Sequence, residues 1–98
     1  MVEIEATPIG EAFGVADHIG YADGSVVSKT LLKKDSGNIT LFAFDKGQGL
    51  TEHTSPFDAV VQILDGRAVI SIGGTPRTVQ AGEMLVMPAH KPHALHAD

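Results

Sequence analysis

This sequence predicts an all-β fold: short strands closed into a small single-domain β-barrel or double-stranded jelly roll. Three observations carry that expectation. Glycine and proline together number sixteen of the 98 residues, spread at intervals and not gathered into a linker. Asp65-Gly66, Gly73-Gly74 and Ala81-Gly82 punctuate the second half about every eight residues, the rhythm of tight turns between short strands. The runs between turns are apolar on both faces, which a single sheet with one wet side does not require. Such runs fit a sandwich or barrel whose outer face is also covered, by an arm of the chain or by a second subunit.

The elements follow in order. Residues 1–24 read as an N-terminal arm. Ile9, Ala12, Phe13 and Ala16 have helical spacing after Pro8, but two of the four are alanines. Gly10 and Gly14 would each cost a helix about 1 kcal/mol, so a short helical turn is the most this stretch supports. The barrel is expected over 25–98. Its strands are read at 25–32, 39–44, 59–64, 67–72, 75–80 and 83–87, with a last short one starting near His93. Asp35-Ser36-Gly37-Asn38 turns between the first two. Asp65-Gly66 reads as a hairpin turn. Pro76 cannot donate to a ladder, which puts its strand at an edge or delays its start.

Composition narrows the function. With no cysteine, disulfide frameworks, Cys-based zinc sites, iron–sulfur clusters and thiol catalysis are excluded. Seven basic residues against twelve acidic ones give a net charge of −5, and Lys33-Lys34 is the one adjacent basic pair. No nucleic-acid partner is expected from such a surface. No apolar run approaches the roughly 18 residues of a membrane span. The acidic opening Met1-Val2-Glu3-Ile4-Glu5 is unlike a leader peptide. A cytoplasmic protein without a membrane partner is the expectation.

Chemistry then rests on five histidines and a few carboxylates. His18 stands alone in the arm and reads as a surface residue. His53 lies in a segment entering a strand, and His90, His93 and His96 lie after another strand. Two histidine-bearing segments can meet inside a barrel, and imidazole is the commonest metal ligand. Phe57, Met84 and Met87 read as core side chains or pocket lining. Ser55 near His53 suggests a nucleophile and base, but no G-x-S-x-G elbow or orienting acid accompanies it. Gly47-x-Gly49 and Gly73-Gly74 read as turns, with no helix after them to hold a phosphate.

At these segments the sequence resembles the cupin superfamily in its small single-domain form, over about residues 38–96. Gly47, His53 and Gly66 stand at the places of the first cupin motif, and Gly82, Pro88 and His93 at those of the second. The resemblance implies a pocket with a divalent metal ion held by His53 and His93. It also marks departures. Ser55 replaces the second histidine of the first motif, Ala59 the glutamate, His90 a glycine and Ala97 an asparagine. Ser55, Gln62 and His90 are further pocket candidates. Gln62 has the opposite strand parity from Ala59, and His90 the opposite parity from His93 unless Pro92 bends the segment. His96 is expected to face solvent. The leading expectation is a small-molecule-binding cupin, a homodimer with its metal in the barrel. The alternatives are a metal-dependent oxygenase or isomerase acting on a small polar metabolite, and a structural or protein-binding barrel.

Overall fold

The computed structural model describes residues 7–98, and these form eight strands and one short helical turn. The chain divides into two compact units, one running to Asp45 and one spanning Lys46–Asp98. No helix among the described residues is long and apolar enough to cross a membrane.

The first unit holds a 3-10 turn at Val15–His18 and an antiparallel hairpin of β1 (Val26–Lys34) and β2 (Gly37–Phe44). Among the described residues of the arm this turn is the only helical element, as the thin apolar stripe implies. Leu41 and Ala43 are buried on β2, and Lys29, opposite Leu41, is buried with them. His18 is not the plain surface residue that its isolation in the sequence suggests. Its Nδ1 lies 3.3 Å from Lys29 Nζ, and Phe13 meets its ring edge-on at 4.7 Å. A buried ammonium needs a partner, and an imidazole eleven positions away supplies one.

The second unit contains a four-stranded antiparallel sheet in the order β3 (Gly49–His53), β8 (His93–Ala97), β5 (Arg67–Ile72), β6 (Thr75–Gln80). A separate two-stranded ladder joins β4 (Ala59–Gln62) to β7 (Met84–Met87). Alternation along β5 turns Ala68, Ile70 and Ile72 to one face. Val79 and Ala97 lie directly opposite Ala68 on the two neighbouring strands, and Leu95 lies opposite Ile70. Ile70 is completely buried at the centre of this row. Its truncation to alanine belongs in the range of about 2–5 kcal/mol for buried aliphatic side chains.

β6 is an edge strand, as Pro76 requires. Gly73 and Gly74, both at positive φ, make the tight β5–β6 hairpin. Asp65-Gly66 is a correction. It does turn the chain, with Gly66 at φ +77, but β4 and β5 do not pair. The dipeptide rounds a corner between two sheets, held by the Ala81 N–H donating to the Gly66 carbonyl. Phe57 and Met84 are also not core side chains: they are 75% and 59% exposed.

Candidate functional site

β3 was not legible as a strand in the sequence, and it is the element that makes the site. It pairs with β8 through Gly49 opposite His96 and Leu50 opposite Leu95. Strict antiparallel counting would then set Glu52 against His93. An extra residue on β3 shifts the register, so that His53 faces His93 instead. Bulges recur beside active sites because they re-aim a side chain in this way.

His93, Leu95 and Ala97 share the face of β8 that meets the buried row of β5, with Ile72 directly opposite His93. His93 is therefore buried, at 6% exposure, while His53 at the strand end is exposed. The two rings meet at right angles to within about twenty degrees, at 72°, with centroids 4.3 Å apart. Their Nε2 atoms are 3.0 Å apart.

The other nitrogen of each ring fixes the chemistry. His53 Nδ1 lies 2.7 Å from the Thr51 carbonyl oxygen, and His93 Nδ1 lies 3.2 Å from that of Lys91. A carbonyl oxygen only accepts, so each ring places its N–H on Nδ1 and donates it. In that tautomer each Nε2 keeps its lone pair, and the two nitrogens lie within 3.0 Å of each other. A proton on one Nε2, donated to the other, or a cation bound by both would satisfy the two nitrogens. A second hydrogen bond that orients the ring from behind is the usual support of a metal-bound histidine.

The remaining candidates take different places. Ser55 is half-buried, and its Oγ accepts the Phe57 N–H at 3.2 Å in a local turn. Its carbonyl accepts the His90 N–H at 2.7 Å. His90 is exposed and adopts φ +68, the left-handed conformation that a glycine would take without cost. Gln62 is exposed and opposite Met84, alternating with the half-buried Ala59 and Val61. His96 is exposed. Asp58 ties down the neighbouring loop: its Oδ1 accepts the Ala89 N–H at 2.7 Å. Together with the Ser55–His90 bond, it ties the loop after His53 to the loop before His93. Among the described residues, no group of three or more His, Cys, Asp or Glu side chains converges.

A family model described as "Cupin domain" matches residues 40–98, more than half of the chain. The chain is a cupin. That match begins within β2 and takes in every residue of the histidine site. Among solved structures, this cupin is similar to a conserved protein of unknown function from Streptococcus pyogenes. The two are 36% identical with a TM-score of 0.88, over 99% of this chain and 85% of that one. A cupin superfamily protein from Desulfitobacterium hafniense is 28% identical with a TM-score of 0.87, over 98% of this chain and 88% of that one. A cupin 2 conserved barrel domain protein from Leptotrichia buccalis is 40% identical with a TM-score of 0.85. The alignment covers 88% of this chain but only 41% of that longer one. No curated protein matches the chain. The jelly-roll fold of the family agrees with the all-β architecture expected from the turn spacing.

Proposed function

We propose that this cupin binds a small molecule at the His53–His93 pair, with a divalent cation held between the two imidazoles. One observation carries the reading: the Nε2 atoms face each other at 3.0 Å while both Nδ1 atoms lie against backbone carbonyls. The donor set fits a metal of the zinc or first-row type, for which neutral imidazole is a preferred ligand. Two zinc–nitrogen bonds of about 2.0–2.1 Å at a tetrahedral angle set their nitrogens about 3.3 Å apart, close to the separation found. Sites of such metals take three or four protein ligands, and no third His, Cys, Asp or Glu side chain joins the pair among the described residues, so the remaining positions would fall to the bound molecule and water. A cation held there would act as a Lewis acid toward a bound oxygen. The chain itself orients: the bulge of β3 aims His53, the sheet holds His93, and the Asp58 and Ser55 bonds join their loops.

The test is elemental analysis of untagged protein never exposed to a nickel column, followed by calorimetric zinc titration. His53→Ala and His93→Ala should each abolish binding almost as fully as the double variant, because the two groups share one partner. His96→Ala should leave binding intact. Wild-type protein that purifies metal-free and takes up no zinc would instead be read as a hydrogen-bonded imidazole pair. Loss of binding in His96→Ala with retention in His53→Ala would overturn the site assignment.

A further inference from the structure

Another contact between titratable groups lies in the unit that runs to Asp45. Lys29 is buried on β1 at 7% exposure, and its Nζ is 3.3 Å from His18 Nδ1. An ammonium group has three donors and no acceptor, so the imidazole accepts here and its own proton sits on Nε2. This is the reverse of His53 and His93, whose Nδ1 atoms face carbonyl oxygens. Among the described residues, it is the only hydrogen bond between the Val15–His18 turn and the β1–β2 hairpin. The base of the arm is held separately. Gly24 donates its N–H to Asp45 Oδ2 at 2.6 Å, and Asp45 donates its own to the Ser25 carbonyl at 3.1 Å.

The charged groups around His18 can be named. Glu11, Asp17 and Asp23 of the arm are exposed, and Asp17 folds its carboxylate back over Gly14. β2 carries no ionisable side chain between Gly37 and Phe44. Lys33 and Lys34 stand exposed at the far end of β1, beside the turn to β2. Phe13, edge-on to the ring, is neutral. Among the described residues, Lys29 is the charged group that His18 contacts. We infer that this contact is a pH-sensitive latch, which holds the turn on the hairpin while His18 is neutral and releases it when His18 takes up a proton. The proton can add only at Nδ1, the nitrogen that Lys29 occupies. It converts the acceptor into a donor and sets two cations against each other, near protein, where they interact more strongly than in bulk water. Lys29 is fixed within a ladder, whereas one hydrogen bond ties the turn to that hairpin, so the turn is what moves.

The experiment is NMR on the full chain at about pH 8 and about pH 5, the span over which histidine is the side chain that changes charge. At the upper pH the ring nitrogens of His18 should report the Nε2–H tautomer, with cross-peaks from the ring to the Lys29 side chain. At the lower pH those cross-peaks should be lost, the released form being at least about tenfold more populated, as expected for like charges at contact distance. Hydrogen exchange in β5 should stay slow throughout, which separates release of the turn from unfolding. His18→Gln keeps an acceptor that does not titrate and should hold the turn on Lys29 at both pH values. Lys29→Met removes the opposing cation, so the cross-peaks between the Phe13 and His18 rings should then ignore pH. That variant carries the test if His18→Gln does not fold. A wild-type turn that stays docked at the lower pH overturns the inference. So does release in His18→Gln equal to that of the wild type, or an Nδ1–H tautomer at the upper pH. Each of these outcomes leaves the metal reading of His53 and His93 untouched.

Discussion

His90 shows how much conformational cost a single residue can carry. A side chain in the left-handed region costs about 1–2 kcal/mol, and at φ +68 His90 bears it where the resemblance places a glycine. Part of that cost returns to the unfolded chain, whose freedom a glycine increases. His90→Gly should therefore stabilise the protein by about 0.5–1 kcal/mol in chemical denaturation. A neutral or destabilised variant would mean that the imidazole makes a compensating contact. Asp58 is the opposite case. Its carboxylate holds the Ala89 N–H at 2.7 Å, so Asp58→Ala removes a charge-assisted bond and should cost about 1.5–3 kcal/mol. Protons compete with metal for the same Nε2 lone pairs. Zinc affinity should fall as pH is lowered, since binding needs the unprotonated nitrogen, and titrations at several pH values read this directly.

At the scale of elements, the β3–β8 ladder decides whether the site exists. Gly49 opposes His96 at the start of that ladder, and a Cβ there would collide with the Leu95 carbonyl oxygen. The obstacle is backbone, which cannot swing aside as the end of a side chain can. Gly49→Ala should push β3 away from β8 and cost about 1–3 kcal/mol, the scale of overpacking a close contact. It should also lower zinc affinity without touching either histidine. Unchanged thermal unfolding together with unchanged zinc affinity would show that β3 slides without consequence. The Arg67–Asp98 ion pair at the other end of β5 is a contrast. It is short, at 2.9 Å, but both side chains are well exposed. Its removal should cost no more than about 1 kcal/mol.

For the whole molecule, the outer face of the β4–β7 ladder is the feature that calls for a partner. Val60, Met84 and Val86 are 62%, 59% and 56% exposed there, with Gln62 beside them and no ionisable side chain among the four. Two copies of a chain carrying −5 meet with least opposition on a face that carries no charge. We expect a two-fold homodimer through this face, the commonest closed symmetry. Light scattering at micromolar concentration should give the dimer mass. Val60→Lys should shift it to monomer while leaving the circular dichroism spectrum unchanged. A wild-type monomer would remove the proposal.

The sequence by itself determined the β5–β6 hairpin, the family and every described strand except β3, and it narrowed β6 to an edge position or a late start. These follow from local chemistry: glycine at positive φ, proline without a donor, and alternation within one run. It also singled out His53 and His93, since two motif histidines survive where Ser55 and Ala59 stand at other ligand places. Only the tertiary structure decided how they meet. Their apposition depends on a bulge in β3, which shows no apolar alternation in Gly49-Leu50-Thr51-Glu52-His53 to announce it. The same holds for the Asp65-Gly66 corner, the Lys29–His18 contact and the Asp58 bond to Ala89. Each joins residues far apart in the chain or depends on which strand lies alongside. A turn dipeptide sets the local backbone bend, whereas the partner strand is set by which apolar faces can be buried together.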